Sequence, residues 1–528
     1  MKPTYTIKIS RFDPETDERP VLKEYQVPCR DQESVLGILL YIYEEIDSTL
    51  FFNYGCRYRS CGKCAIKING KPMLACETPL ADGMILEPLD HLPVLRDLAV
   101  DRSGLLDSLK KYDLLLSAQK ERERVVQPSE FFELVRCNEC LSCLSICPAF
   151  RQKAGYDGPF FGVKLALLHH DAREENDRLS QLAPFLEKCI QCKQCQVTCP
   201  WNTLFTKVAT KIKGELFTRR SFSGRDWVMS RPPVISYLVS LLPLPVNKLT
   251  KKKVVRKVMD HLMEIDERAP FPEYRKMTIK PRKERLEERK HQVAYFLGCY
   301  EKFNDPKIAR ASLSLLEGLG VGVQVLDFGC CGGPFVGIGD LASARKRAEV
   351  VSEELSKWIQ KGYDIVLSCT SCGSMIRDDY PSLFRMLAEE EFQSHLLNIG
   401  EYLWQMHGSG QLKMKFREIR KRIGYQAPCH LKAQKIGVPF VNLLKLIPGL
   451  RVHSILDKCC GMAGTMGFKK EKFDLSQKIG EPLFDEIEKE GLDLVLSDCA
   501  ACQMKMKKET GVESFHPIIF LKEILSQK

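Results

Sequence analysis

Of the 23 cysteines in this 528-residue chain, all but one fall into groups whose spacing suits metal ligation. The first group is Cys56-x4-Cys61-x2-Cys64-x11-Cys76. The second, Cys137-x2-Cys140-x2-Cys143-x3-Cys147-Pro148, recurs as Cys189-x2-Cys192-x2-Cys195-x3-Cys199-Pro200. A further set is duplicated. Cys299, the pair Cys330-Cys331-Gly332 and Cys369-x2-Cys372 return as Cys429, Cys459-Cys460-Gly461 and Cys499-x2-Cys502, displaced by 129 or 130 residues throughout. Thiolates at such intervals are soft ligands for iron–sulfur clusters or zinc, whereas disulfide frameworks belong to short secreted chains. The opening MKPTYTIKIS carries no apolar signal-like run, so a cytoplasmic setting with reduced thiols is expected. Cys29, in Val27-Pro28-Cys29-Arg30, has no partner spacing and reads as a small packing residue.

Each group implies a different centre. Three thiolates between Cys56 and Cys64 demand a tight loop, which Gly55 and Gly62 permit, and Cys76 arrives from the far side of the hairpin Ala65-Ile66-Lys67-Ile68-Asn69-Gly70. Plant-type ferredoxins hold [2Fe–2S] with this arrangement; zinc is the alternative, though zinc knuckles rarely use an x4 first gap. In the repeated Cys-Pro motif, three close cysteines wrap one cubane and the fourth reaches the other. That assigns Cys137, Cys140, Cys143 and Cys199 to one [4Fe–4S] cluster, and Cys189, Cys192, Cys195 and Cys147 to a second. Beyond residue 290 each repeat offers five thiolates, one too many for a cubane. Either four are ligands and one is a free catalytic thiol, or a noncubane cluster uses all five. His430 beside Cys429 is a candidate proton donor to a leaving thiolate; for it and for His516 a hydrogen-bonding structural role is the simpler expectation.

The elements that must position these residues are legible in outline. Tyr5-Thr6-Ile7-Lys8-Ile9 alternates as a strand does, and an apolar helix is expected near Val35 to Tyr43. Asp364-Ile365-Val366-Leu367-Ser368 and Asp493-Leu494-Val495-Leu496-Ser497 precede the two CxxC pairs and read as buried strands, giving duplicated α/β lobes about a pseudo-twofold axis. The expected organisation is a ferredoxin-like domain over 1–100, an α-helical domain over 101–205 entered by a helix near Leu105 to Val135, a basic connector over 206–290, and two lobes over 291–415 and 416–528.

Composition narrows the function classes. With 44% hydrophobic and 28% charged residues, the chain is globular rather than disordered. The net charge of +11 is local, because 22 Lys and Arg face 10 Asp and Glu between Trp201 and Lys290. Runs such as Lys251-Lys252-Lys253 and Lys280-Pro281-Arg282-Lys283 lack interleaved aromatics and read as a solvated linker rather than a nucleic-acid surface. The apolar stretch Val234 to Val246 is broken by Pro243 and Pro245 and is too short to span a bilayer. With its flanking lysines it suits at most a peripheral membrane contact, and a packed helix between domains is expected. Gly318-Leu319-Gly320-Val321-Gly322 places its third glycine one residue early for a dinucleotide fingerprint, so no flavin is expected on this chain.

The first 200 residues resemble the iron–sulfur subunits of succinate dehydrogenases and fumarate reductases. The likeness rests on Asp47-Ser48-Thr49-Leu50, Cys61-Gly62-Lys63-Cys64-Ala65, Leu74-Ala75-Cys76, the run from Pro88 to Leu98, and both Cys-Pro motifs. It implies a β-grasp [2Fe–2S] domain, a helical two-cluster domain, and a separate flavoprotein partner that carries FAD and interconverts fumarate and succinate. Quinone-linked members usually lack the middle cysteine of the second motif and hold [3Fe–4S] there; Cys192 is present here, which favours a second cubane.

Residues 291–528 resemble the CCG-domain family, in particular the catalytic subunit of heterodisulfide reductase. That resemblance implies two noncubane [4Fe–4S] clusters, on Cys299, Cys330, Cys331, Cys369 and Cys372 and on Cys429, Cys459, Cys460, Cys499 and Cys502, all ten at a disulfide-forming site. The joined halves resemble the thiol:fumarate reductases of methanogenic archaea. The implied reaction joins the thiols of coenzyme M and coenzyme B into a heterodisulfide, or reverses this, with electrons passing one at a time through the other clusters to the flavoprotein. Such a chain would hold about 18 irons. The competing readings are an electron-transfer subunit of a succinate dehydrogenase-like or 2-hydroxyacid-oxidising complex linked to quinone or ferredoxin, with the CCG clusters as relay only, and a zinc scaffold.

Overall fold

The computed structural model describes residues 4–28, 33–117, 125–153, 155–221, 223–276, 279 and 289–525; Cys29 and the basic run at 280–283 lie outside them. The chain divides into two compact units, Met1–Ile212 and Lys213–Lys528.

In the first unit, the alternation in β1 (Thr4–Arg11) buries Ile7 and Ile9 on one face. β1 pairs antiparallel with β2 (Val21–Pro28) and parallel with β5 (Ile85–Glu87), which pairs with β3 (Ala65–Ile68) and through it β4 (Lys71–Leu74). The resulting order is β2-β1-β5-β3-β4. The β3–β4 turn is Asn69-Gly70, both at positive φ as a tight hairpin requires. A helix over Val35–Tyr41, capped by the Ser34 side chain accepting from Gly37 N–H, buries Val35, Leu36, Ile38 and Leu39. This is the expected β-grasp domain.

A buried ion pair fastens the segment that carries the first cysteine loop. Asp97, 2% exposed, accepts from Arg11 Nε at 3.0 Å and from the N–H groups of Phe12 and Phe51 at 2.9 Å. Arg11 Nη1 also donates to Asp47 at 2.6 Å, and hydrogen bonds from Lys23 and Thr49 hold the Asp47 carboxyl well below the usual carboxylate range. Asp97 sits between β6 (Val94–Arg96) and β7 (Ala99–Val100), so one side chain ties β1, the Phe51 loop and this ribbon together.

The rest of the unit is helical. The segment expected as a helix from Leu105 to Val135 contains two, Gly104–Lys111 and Ser129–Leu134, with 118–124 outside the described residues. Helices Pro159–His169 and Leu179–Lys188 bury Phe160, Phe161, Leu165, Leu182 and Phe185 in a common core. Pro148 opens a short helix as expected, whereas Pro200 and Trp201 form only a turn before the helix that starts at Phe205.

The second unit holds the duplication. β8 (His291–Phe296), β9 (Val321–Leu326), β10 (Asp364–Leu367) and β11 (Leu396–Asn398) form a parallel sheet in the order β11-β10-β8-β9. β12 (Arg422–Gln426), β13 (Arg451–Ile455), β14 (Leu494–Leu496) and β15 (Ser514–Phe515) repeat that topology as β13-β12-β14-β15. One hydrophobic core runs through both lobes and contains Val293, Tyr295 and Val366 with Tyr425, Leu494 and Leu496. Gly318 ends a helix before β9, the reverse of the strand-to-helix order a dinucleotide fingerprint needs.

The expected linker is folded into helices Gly224–Ser230, Pro232–Ser240, Pro243–Thr250 and Lys253–Met263. Contrary to expectation, Val234, Leu238, Leu241, Leu242 and Leu244 are exposed, because the buried face of Pro232–Ser240 is formed by Ser236 and Ser240. No described helix is long and apolar enough to cross a membrane.

Removing the buried carboxylate in Asp97→Ala leaves Arg11 half-compensated and two N–H groups unpaired. A loss of about 3 kcal/mol in the urea unfolding of the first unit is expected; a loss under about 1 kcal/mol would contradict this role.

Candidate functional site

The first cysteine loop folds on its own sulfurs. Cys56 N–H donates to Cys61 Sγ at 3.3 Å, Cys61 N–H to Cys56 Sγ at 3.2 Å, and Arg59 N–H to Cys76 Sγ at 3.3 Å. Burial works against the Cys56 thiolate, but N–H groups of Tyr58 and Cys61 outweigh it and bring the pKa down to about 7. Cys64 is more deeply placed, and burial pushes its thiol up to about 12. Gly62 shows why this loop needs glycine: at φ 67°, a Cβ would lie 2.6 Å from Asn138 O and 2.8 Å from Cys140 Cα. The first cysteine loop therefore touches the first Cys-Pro motif. Asn138 Nδ2 adds a hydrogen bond to Arg59 O at 3.1 Å.

Around the Cys-Pro motifs, Cys137, Cys140, Cys143, Cys195 and Cys199 line one small cavity together with Phe160 and Thr203. Thr203 N–H donates to Cys199 Sγ at 3.3 Å. The charge of Cys189 bears on Cys147, and Cys195 feels Cys192, Cys189, Cys143 and Cys147. The cavity thus brings the four sulfurs of the first expected crossed set together with Cys195 of the second. The loops also repeat in conformation. Glu139 and Leu141 flank Cys140 at positive φ, as Gln191 and Lys193 flank Cys192. Burial pushes the Cys147 thiol up to about 12.

In the first lobe all five sulfurs form one chain of contacts. Cys299 meets Cys330, Cys330 meets Cys331, Cys331 meets Cys372, and Cys372 meets Cys369. In the second, Cys460 lies 3.0 Å from Cys502 and also contacts Cys459, Cys502 contacts Cys499, and Cys429 feels Cys460 and Cys499. The turns match: Gly332 N–H donates to Cys330 Sγ, and Gly461 N–H to Cys459 Sγ, each at 3.4 Å. Both glycines have positive φ, and a Cβ on Gly461 would lie 2.0 Å from Ser476 O. Each CxxC opens a short helix at the carboxyl end of its strand, where parallel α/β sheets commonly place their sites.

The two lobes meet at these helices. His430 Nδ1 lies 3.0 Å from Ser371 Oγ, between Cys369 and Cys372, and Gln434 Nε2 donates to Thr370 O at 3.1 Å. Thr370 Oγ1 donates in turn to Asp498 O, one residue before Cys499. His516 is fully buried, with Nε2 3.1 Å from Ser368 O and Nδ1 accepting from Ile518 N–H, and burial lowers its pKa to about 4. It caps a helix as a neutral ring, the structural role expected of it.

Several neighbours were not legible beforehand. Glu301 accepts from Tyr295 Oη at 2.6 Å and from Ser368 Oγ, and burial raises its pKa to about 8. Asp498 accepts from Tyr425 Oη at 2.9 Å and is raised by burial to about 7. Lys505 is fully buried beside Glu509 at 3.2 Å, over the Phe473 ring, and its pKa is lowered by burial. The signal available was that Tyr295 and Tyr425 stand 130 positions apart inside apolar strands, where a phenol needs a partner.

The donors fit a metal. Buried thiols grouped in fours and fives are poor packing for bare thiolates and suit a cationic iron core that deprotonates them.

Family models agree with this division. A 2Fe-2S iron–sulfur cluster binding domain matches residues 6–107, a 4Fe-4S dicluster domain 133–203, and a cysteine-rich CCG domain both 293–377 and 423–507. The chain is 30% identical to an iron–sulfur protein of Methanocaldococcus jannaschii, over 95% of this chain and 94% of that one. It is 27% identical, over the same shares, to one of the subunits of the fumarate reductase (CoM/CoB) of Methanothermobacter marburgensis. It is 30% identical to one of the subunits of the anaerobic glycerol-3-phosphate dehydrogenase of Escherichia coli, over 74% of this chain and 98% of that one. The chain belongs to the family that fuses a fumarate reductase-type iron–sulfur subunit to a CCG region. The relatives with assigned names belong to oxidoreductases, and this chain is an iron–sulfur electron-transfer subunit.

Crossed ligation has an additive signature in iron content. Cys199→Ala combined with Cys137→Ala should lose about four irons, like either alone, because both serve one cluster; Cys199→Ala combined with Cys189→Ala should lose about eight. Equal losses in the two double variants would contradict the crossing.

Proposed function

We propose that this chain is the iron–sulfur subunit of a thiol:fumarate reductase. Two thiols, those of coenzyme M and coenzyme B, lose two protons and two electrons as their sulfurs join in a disulfide. The electrons reach a flavoprotein partner carrying FAD, where fumarate takes up two electrons and two protons to become succinate. The reverse flow uses the same residues. The observation that carries the reading is the pair of complete five-sulfur sets on adjoining helices, since oxidising two thiols by single-electron steps requires two centres.

In this reading Cys299, Cys330, Cys331, Cys369 and Cys372 hold one noncubane [4Fe–4S] cluster, and Cys429, Cys459, Cys460, Cys499 and Cys502 hold the other. When bound, such clusters accept single electrons and take a substrate sulfur at iron. The eight Cys-Pro cysteines hold two cubanes, and Cys56, Cys61, Cys64 and Cys76 hold [2Fe–2S]. His430, held by Ser371, keeps an imidazole beside Cys429, where it can receive a thiol proton.

A cavity of about 1520 Å³ in the second unit supports an anionic substrate. Lys257, Arg310, Lys508 and Lys522 line it, and its wall includes Tyr300 and Gln503, the sequence neighbours of Cys299 and Cys502. Tyr300 is half-buried and feels the charge of Cys499, so the cavity reaches toward both sets.

The relative from glycerol-3-phosphate dehydrogenase favours a second reading, in which the CCG clusters only relay electrons. Two outcomes separate them. Cys459→Ser with Cys460→Ser should abolish thiol oxidation while leaving the clusters of the first unit reducible; thiol oxidation that persists, or a wild-type enzyme indifferent to any thiol or disulfide, favours the relay. Anaerobically purified protein should carry about 18 irons with matching sulfide, and a zinc scaffold none. Lys257→Glu with Lys508→Glu should raise KM for an anionic thiol about tenfold or more with little change in kcat, as loss of ground-state charge pairing does.

A further inference from the structure

Among the described residues, eleven exposed large apolar side chains fall between Trp227 and Leu262, outside every cysteine site. They lie on the four consecutive helices that replace the expected linker, and the pattern is inside out. On Pro232–Ser240, Ser236 and Ser240 are buried, while Val234, Tyr237 and Leu238, three and four residues apart, are exposed and Leu241 continues the stripe. At the following bend Leu242 is 67% exposed and Leu244 74%. On Lys253–Met263, Val254, Val258 and Leu262 recur every fourth residue on the outside, while Arg256 is buried and donates to the carbonyls of Asp266, Glu267 and Ala269. A helix facing water would present the serines and hide the leucines.

The charge around these side chains is mainly positive. Lys248 and Lys252 are exposed among the leucines and valines; Lys251, Lys253 and Lys257 are exposed too but also line the cavity, Lys251 beside Glu273 at 2.6 Å. From Trp227 to Met263 the only acidic residue is Asp260, and it is taken up by Lys470. We propose that this face docks on the surface of an anionic lipid bilayer. The leucines of the bend and the Val254 stripe enter the boundary between headgroups and acyl chains, and the lysines meet lipid phosphates. A second copy of the chain seated on the same face would set lysines against lysines across a twofold axis, so self-association is disfavoured. Short helices interrupted by Pro243 and Pro245 bind in the plane of an interface, consistent with the absence of a spanning helix among the described residues.

Leu242, Leu244, Lys248 and Lys252 lie outside the cavity lining, so a test at these positions stands or falls separately from the thiol reading. The test is flotation of the intact, cluster-loaded chain with vesicles of phosphatidylcholine alone or of equal parts phosphatidylcholine and phosphatidylglycerol. Binding is expected to the anionic vesicles, to weaken as salt is raised, and to fall at least about tenfold in Leu242→Glu with Leu244→Glu and in Lys248→Glu with Lys252→Glu. Val350→Glu, at an exposed apolar position elsewhere, should bind as the unaltered chain does. Iron content and melting temperature of the variants report that folding is intact, since all four positions are exposed. Failure to bind anionic vesicles, equal binding to neutral ones, or concentration-dependent dimerisation abolished by the leucine variants would each overturn the proposal.

Discussion

Two thiolates at the 3.0 Å separating Cys460 and Cys502 would repel by about 5 kcal/mol even at an effective dielectric of 20, and each CCG set brings five sulfurs together. Burial adds to the penalty, pushing Cys147 and Cys429 to about 12. Cationic iron reverses this balance, because the thiolates that repel one another become ligands, and the energy released on binding becomes folding energy. The loops around it reflect that source of energy. Non-glycine residues at positive φ, such as Glu139, Leu141, Gln191 and Lys193, each cost on the order of 1 kcal/mol and are the kind of strain a cluster can hold in place.

Two lobes of identical strand order place two CxxC helices at strand ends within one hydrophobic core, which makes the sulfur sets alike in position. Their surroundings differ. In the first lobe the phenol of Tyr295 reaches Glu301 and Ser368, while in the second Tyr425 reaches Asp498 directly, and the charge of the buried Lys505 bears on Cys460. Val366 pairs with Tyr295 as Leu496 pairs with Tyr425, so in the folded lobes Ser368 and Asp498 occupy matching positions, one residue off the sequence repeat, and give each set its own field. Unequal fields give two centres unequal potentials.

Cysteine positions were legible because ligand spacing is a local property: a loop that wraps a cluster must return its sulfurs within a few residues, whatever the rest of the chain does. The duplicated lobes were legible for a related reason, the repeat of Asp364–Ser368 at Asp493–Ser497. What sequence did not reveal depends on distance. Arg11 and Asp97 are 86 positions apart, and Asp47 and Asp97 belonged to stretches that suggested kinship without indicating that they hold the Phe51 loop to β1. Glu301 looks like an ordinary helical acid until the strand carrying Tyr295 folds over it. The largest miss was the stretch Val234 to Val246, because hydropathy reports that a helix has an apolar face and says nothing about whether protein covers it.

The surplus of basic residues between Trp201 and Lys290 began as a property of a linker and ends divided between opposite sides of one folded segment. Arg256 turns inward and clamps the carbonyls of 266–269, over the Phe271 ring, which fixes Lys253–Met263 along the wall of the cationic cavity. The same fixation forces Val254 and Val258 outward, since residues two positions from a buried side chain on a helix lie on its far side, and Leu262, four beyond Val258, continues their stripe. The cavity and the apolar face are therefore not separable choices: a helix anchored through Arg256 to shape one must expose the other. A substitution that released Arg256 would disturb both, whereas glutamates at Leu242 and Leu244, beyond the clamp, alter the outer face alone.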